Sequence, residues 1–396
     1  MIQIKRENLP EIANKHYEGV MFWTESALDF YSTIIGVWGK CICVVESENL
    51  DNYKLNIKSL QSFTKLIIKT KKTTQKIRKE DIIGLLKGRS IFKPKPFFTK
   101  ENCEKLFELL HEVRINLKKI IVGQPLEIFE LERIFRQRFS SLVEENQFVP
   151  SVRVILEKIF NYDKFTDKTG FALENKKYWE AYDLAKELDV NVCPYCNRNY
   201  IFVVLKQSKD KVDSKKIIRP QFDHFFNKSK HPLFGLSFYN LIPSCSTCNS
   251  TLKGVSIFDL STHLHPYLNS CTDHAYFDYT PNTTAAAVGE SHDLQVSLKP
   301  REGGQLETQI INSSEIFQVD IIYSKHADVV SELIRKKHIS NDKYLETLQE
   351  QYKDLHLTME ELYRLAFGNY YHEDDFEKRP MAKLTKDICK RLGLIK

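Results

Sequence analysis

Cys193-Pro-Tyr-Cys196 and Cys245-Ser-Thr-Cys248 are two CxxC pairs. Each pair can turn both thiolates toward one ion, and four thiolates complete the tetrahedral shell of a structural zinc, leaving no position for substrate. Four unrelated buried cysteines are the competing reading, and the paired spacing speaks against it. A redox dithiol is disfavoured too, because there are two pairs and neither follows a strand that opens a helix. Between and just after the pairs stand Asp223-His224, then Asn240 in Asn240-Leu-Ile-Pro-Ser-Cys245, then Asn249 and Lys253-Gly254. Taken alone, either residue of the Asp223-His224 pair is more often a surface polar group. The order of these residues between two thiolate pairs gives them a shared chemistry.

That chemistry is hydrolysis of a phosphodiester. Water must lose a proton near neutral pH as it attacks phosphorus, and histidine is the side chain whose ordinary pKa lies there, so His224 is the expected general base. Asp223 supplies an anionic oxygen for a divalent cation that would offset charge building on the phosphate. The stretch from Cys193 to Gly254, with a weaker extension to His265-Pro266-Tyr267, resembles the HNH endonuclease family. It is most similar to the zinc-knuckle bacterial group of phage-defence and mobile-element systems, through Asp223-His224-Phe-Phe-Asn-Lys-Ser-Lys and Tyr239-Asn-Leu-Ile-Pro-Ser-Cys.

The resemblance implies that Asn240 restrains the base and that Asn249, where many relatives carry histidine, binds the catalytic ion with Asp223. An amide oxygen is a hard ligand suited to magnesium or manganese. Lys253 is expected on phosphate, or else as a capping or solvated lysine. His265 either completes the catalytic metal shell or is a buried structural histidine. The implied substrate is nucleic acid, DNA ahead of RNA, in a phage-defence setting with an ATPase or another defence partner. Two other functions fit the same residues: a zinc knuckle that grips nucleic acid without cutting, and an RNA-cleaving toxin.

The elements that must carry these residues can be read from periodicity. Cys103, Leu106, Phe107, Leu110, Val113, Leu117 and Ile120 recur at three and four, as do Tyr178, Ala181, Tyr182, Ala185 and Leu188, so both predict helical core stripes. Tyr200 to Leu205 and Ile217 to His224 predict a two-stranded ribbon with a basic tip. A short strand before Cys245 and a short helix after it should follow. Pro281 to Gly304 is rich in Thr, Ala, Gly and Ser and is the best linker, around a strand at Leu294 to Leu298. Beyond it the apolar spacing is helical again. The expected fold is α+β, a mainly helical chain with a central zinc-bound ββα-metal module. Its expected regions are 1–180, 181–280 and 281–396.

The formal net charge is +6. From Lys65 to Lys100 there are twelve Lys or Arg against two acids, Lys71, Lys72, Lys76 and Arg78 among them. Such density neutralises a phosphate backbone without reading sequence, although a solvated helix face has the same look. Nine cysteines are too few for a disulfide scaffold of this length, which suggests a reducing, cytoplasmic setting. Met1 to Ala13 lacks the apolar region of a secretory signal, and Val20 to Gly39, interrupted by Glu25 and Asp29, reads as a buried helix with no membrane role. His231 reads as a turn residue or a phosphate contact. Cys41 and Cys43 read as strand packing, while Phe22-Trp23 and Phe30-Tyr31 read as core aromatics.

Overall fold

The computed structural model describes residues 1–45, 99–167, 170–172, 178–206, 215–304, 306–339 and 344–395. Lys71, Lys72, Lys76 and Arg78, the expected basic contacts, lie outside the described residues. The chain divides into two compact units, one of Pro10–Ala181 with Phe226–Leu241 and the other of Met1–Leu9, Tyr182–Phe225 and Ile242–Lys396. Among the described residues no helix is long and apolar enough to cross a membrane.

The first of these units is helical. Helix α1 (Leu9–Val45) contains the apolar stretch that reads as buried, and among its described side chains Ile12, Ala13, His16, Val20, Thr24, Leu28 and Ile35 are buried. Cys41 and Cys43 therefore lie in a helix and not in a strand. Helix α2 (Lys100–Ile115) starts where the Thr99 hydroxyl accepts the Asn102 N–H, a side-chain cap for an otherwise orphaned donor. Its stripe runs on into α3 (Leu117–Val122), with Cys103, Leu106, Leu110, Val113, Leu117 and Ile120 buried. Phe107, expected on the same stripe, is about half exposed.

Proline at the first turn opens both α4 (Pro125–Arg138) and α5 (Pro150–Ile159), where a missing N–H costs nothing. Helix α6 (Tyr162–Thr166) and two short ribbons, β1 (Val143–Glu144) with β2 (Gln147–Phe148) and β3 (Phe171–Ala172) with β4 (Tyr178–Trp179), complete this part of the unit. Tyr178, expected to begin a helical stripe, is in β4, because Glu180 separates it from the helix that follows.

The other unit carries the thiolate pairs. After α7 (Ala181–Leu188), strand β5 (Val204–Lys206) pairs antiparallel with β6 (Lys215–Ile218) through a bulge. The stretch expected as one strand is two: Arg219-Pro220 breaks it, proline having no N–H for the ladder, and β7 (Gln221–His224) then pairs with β8 (Leu241–Ser244). The short helix after Cys245 forms as a π-helix, Thr247–Lys253, closed by the Gly254 N–H on the Asn249 carbonyl. Gly254 has φ of +50°, a conformation that glycine adopts without a Cβ penalty.

The expected linker and the expected break at 280/281 are not there. Strands β9 (Ala275–Pro281) and β10 (Leu294–Pro300) form a continuous antiparallel ribbon from Ala275↔Pro300 to Pro281↔Leu294, with helix α8 (Thr284–Ala287) in its connection. Small polar residues stand in the connection, while Ala275, Phe277, Val296 and Leu298 bury one face by strand alternation. Eight further elements follow among the described residues, of which α9 (Glu307–Ile316), α10 (Val319–Ser324), α11 (Ala327–Ile339), α12 (Tyr344–Gln351), α13 (Met359–Phe367) and α14 (Ala382–Arg391) are α-helices. Side chains on α10 and α14 bond directly to the ribbon: Asp320 accepts the Leu298 N–H at 2.9 Å and Asp387 the Phe277 N–H at 2.9 Å.

Candidate metal centre and catalytic site

The four sulfur atoms of Cys193, Cys196, Cys245 and Cys248 lie within 4.8 Å of one another, and all four residues are buried. A zinc with Zn–S bonds of about 2.3 Å spaces its sulfurs by roughly 3.8 Å, so the four fit that ion. The first knuckle turns at Asn197, whose φ of +46° is tolerated by asparagine, with its N–H on the Cys193 carbonyl at 2.8 Å. The second knuckle sends the Cys248 N–H to Cys245 Sγ at 3.4 Å, and Asn199 Nδ2 donates to the same sulfur at 3.2 Å. Donors aimed at sulfur are what a thiolate needs around it. Hydrogen bonds from the other three thiols pull Cys245 far below the thiol range, while burial pushes Cys193 well above it.

The knuckles are built into the unit and do not stand alone. Ile2 N–H donates to the Pro194 carbonyl, and Tyr323 Oη donates to the Cys196 carbonyl at 2.6 Å. Asn197 donates through Nδ2 to the Phe376 carbonyl and accepts the Met381 and Lys383 N–H groups on its two oxygens. The C-terminal helices thus hold the first knuckle from behind.

Strand β7 and the π-helix face each other. Asn249 Nδ2 and Ser250 Oγ both donate to Gln221 Oε1 at 2.9 Å. Two residues on, Asp223 shares that strand face by alternation, and Phe222 and His224 take the other. Asp223 is 3 % exposed. Its Oδ2 accepts the Tyr195 hydroxyl at 2.6 Å and its Oδ1 accepts the Lys253 ammonium at 2.8 Å. Burial and the nearby Asp223 charge hold the Tyr195 pKa well above the phenol range, so Tyr195 is the donor of that bond.

Lys253 differs from its expected place on phosphate. It is 3 % exposed, donates also to the His224 carbonyl at 2.5 Å, and lies 4.7 Å from the centre of the Phe258 ring. An ammonium desolvated to that extent needs a paired anion and good acceptors, and this one has both. Around it Phe258 meets Tyr195 and Phe225 edge-on and stacks on His263 at 4.1 Å. Burial, reinforced by the Lys253 charge, lowers the His263 pKa.

Asn240, expected to restrain the base, bonds backbone. It is fully buried, with Oδ1 accepting the Phe226 N–H at 2.7 Å and Nδ2 donating to the Phe226 and Phe234 carbonyls at 3.1 Å. Both amide hydrogens are spent on backbone, so its role is to fix the loop that begins two residues after His224 in the chain.

His265 is not a ligand of a second cation in this arrangement. It is buried against Phe225, ring centres 4.2 Å apart, and its Nδ1 accepts the Tyr267 N–H, which leaves the ring proton on Nε2. A protonated nitrogen has no lone pair for a metal. Among the described residues, the four cysteines are the one group of three or more Cys, His, Asp or Glu side chains close enough to share an ion. Asp223, which carries a side-chain donor on each oxygen, belongs to no such group.

His231 is likewise internal: its Nδ1 lies 2.5 Å from Glu132 Oε2, with Arg136 on the same oxygen at 2.8 Å. Tyr195, Gln221 and Phe258 were not singled out by the sequence. A signal for Tyr195 was its place inside the first CxxC, and one for Gln221 was its i−2 relation to Asp223. Comparison with models of known families, with curated proteins and with solved structures finds no match.

Proposed function

We propose that the chain is an HNH-class nuclease that hydrolyses phosphodiester bonds of nucleic acid, with DNA the first substrate to test and a phage-defence system, with an ATPase or another partner, its setting. The observation that carries this reading is the coupling of the thiolate centre to Asp223: Tyr195, between Cys193 and Cys196, donates directly to the carboxylate beside His224. A structural ion that orients a strand ending in Asp-His, opposite a short helix bearing asparagine, is the arrangement that the HNH resemblance calls for.

In this reading His224 takes the proton of the attacking water, its backbone fixed by Lys253 on its carbonyl and by Asn240 on the following loop. Magnesium or manganese is the cation to supply. Purified protein incubated with supercoiled plasmid and either ion should nick it, and His224→Ala should slow nicking by roughly two to four orders of magnitude while binding persists. Equal nicking by the variant removes His224 as base.

The engagement of both Asp223 oxygens favours a second reading, a zinc-knuckle protein that binds nucleic acid without cutting. In that case neither form nicks at any cation concentration, yet both retard labelled DNA. The same incubation with structured and single-stranded RNA separates an RNA-cleaving toxin from a DNA nuclease.

A further inference from the structure

The segment that leaves the first knuckle carries two exposed aromatic rings that the thiolate frame does not use. Tyr200 is 51 % exposed and Phe202 41 %, while Ile201 between them is buried. That alternation puts both rings on one face, with their centres 5.3 Å apart. Phe202 precedes Val204 by two residues, and Val204 pairs with Ile218, itself about half exposed, so the apolar face continues across β5 and β6. A lone exposed aromatic is ordinary, whereas contiguous ones rimmed by charge mark a binding surface. The backbone beneath is fixed: the Cys193 N–H donates to the Asn199 carbonyl at 3.0 Å, the Ile201 N–H donates to the Asn191 carbonyl at 2.8 Å, and Tyr200 bridges Val192. The rings are thus held in place before anything binds, which spares an ordering cost.

Charge identifies the occupant. Residues 198–206 and 215–219 hold five Lys or Arg (Arg198, Lys206, Lys215, Lys216 and Arg219) and no Asp or Glu. Lys216 and Arg219 lie over the Tyr182 ring at 5.8 and 5.5 Å. Arg198 Nε is buried with no acceptor, and among the described residues no carboxylate pairs with this guanidinium. A second copy of the chain would set these cations against their like, which disfavours self-association. A polyanion with flat apolar faces matches both features. In a single strand of nucleic acid the bases are free to stack on rings while the phosphates meet cations, whereas a duplex keeps its base faces inside and offers mainly phosphate.

We infer that the face of Tyr200 and Phe202 binds single-stranded nucleic acid, bases stacked on the two rings and phosphates held by the neighbouring cations. This deepens the nuclease reading, on which it rests, by naming the form of the substrate. Strand β6 leads through Arg219-Pro220 into β7, the strand that ends in His224.

The test is binding by fluorescence anisotropy, on the full chain with zinc retained and no magnesium or manganese added. Wild type should hold a labelled oligothymidylate of about twenty nucleotides at least about tenfold more tightly than a duplex of the same length. Tyr200→Ala combined with Phe202→Ala should weaken the single strand by at least about tenfold and change the duplex by less than about twofold. Phe202→Trp should keep the affinity, and the fluorescence it adds should be quenched by the single strand, a signature that a merely structural ring would not give. Arg198→Gln should weaken both forms and lower the slope of log affinity against log salt by about 0.7 on the single strand, one phosphate contact. An oligouridylate of the same length separates RNA from DNA, and tight binding of either single strand supports the inference.

Unchanged single-strand affinity in the double alanine variant, with its zinc content intact, overturns the inference. So does a duplex held as tightly as the single strand. No affinity of wild type for any of the three also overturns it and leaves the face to an acidic protein partner. The plasmid assay keeps the two readings apart. His224-dependent nicking with single-strand affinity unchanged in the double variant leaves a nuclease without this face, whereas loss of that affinity with no nicking by any form leaves the face and removes the nuclease.

Discussion

Both units bury carboxylates with cations, and the clusters around Glu132 in one and Asp223 in the other are built differently. In the helical unit, Glu132 Oε2 receives both Arg136 and His231 Nδ1, and Arg136 goes on to the Asn146 and Lys230 carbonyls at 2.6 and 2.7 Å. The guanidinium fork thereby joins α4, the β1–β2 turn and the loop after β7 through one rigid group. In the thiolate unit, Asp223 spreads its two oxygens over Tyr195 and Lys253, and the ammonium has one other acceptor, a carbonyl of the same strand. The first cluster is a strut between segments distant in sequence. The second holds together residues of one small site, whose outer frame is set by the four sulfurs.

Removing the frame should have the largest effect and should divide the molecule. Structural zinc in small domains contributes apparent binding energies of about 10–16 kcal/mol, and Cys193, Cys196, Cys245 and Cys248 each belong to the same shell. Cys245→Ser, or wild type dialysed against a strong chelator, should lose its zinc and expose the amides of 190–200 and 241–254 to hydrogen exchange. Protection in α2 to α5 should persist, because that core is apolar stripes and needs no ion. If α2 to α5 exchange in step with the knuckles, the units are one cooperative structure and the contrast between them fails.

The strut comes next. Glu132 is 2 % exposed, so Glu132→Ala would strand Arg136 and His231 without an anion. Breaking a buried pair by removing one member costs about 3–5 kcal/mol, mainly from the charge left behind. Urea unfolding followed through peptides of α4 and of 226–234 should show a loss of that size, with zinc content unchanged. A loss under about 1 kcal/mol would mean that water reaches the guanidinium and that the cluster is no strut.

These contrasts explain what could be seen in the residues alone. The thiolate shell was legible because a CxxC pair is a local signal whose meaning does not depend on the rest of the fold. Helical stripes in α2, α3 and α7 were legible for the same reason, as was the strand at Leu294. The linker at 281–304 was misread because Thr, Ala, Gly and Ser serve a ribbon connection as well as a tether, and the alternation of Ala275 with Phe277 and Val296 with Leu298 was the better clue. Lys253 was misread because spacing from Asn249 fixes its place on a helix but not its direction. The partner that turns it inward, Asp223, lies thirty residues earlier in the chain. The partners of Asn240 were not legible either, since what its amide bonds depends on a loop closed by Phe226 and Phe234.

The smallest expected effect concerns acid, and it distinguishes the units by pH. His16 on α1 is fully buried and satisfied only as the neutral ring: Nε2 donates to the Leu236 carbonyl at 2.8 Å and Nδ1 accepts the Trp179 indole N–H at 3.1 Å. The indole lies so close to α1 that a Cβ on Gly19 would clash with it. A second proton on Nδ1 would face the indole donor, and burial accordingly pushes the His16 pKa down to about 4 from 6.5. The unfolded chain therefore binds the proton first as pH falls. Stability from this residue is complete above about pH 6.5 and is lost between there and pH 4, a total of about 3 kcal/mol. Unfolding midpoints of the helical unit measured from pH 7.5 to 4 should fall across that window in wild type and fall less in His16→Gln, whose amide can keep one of the two bonds but cannot titrate. Parallel curves for the two proteins would place the acid sensitivity elsewhere and leave His16 as packing alone.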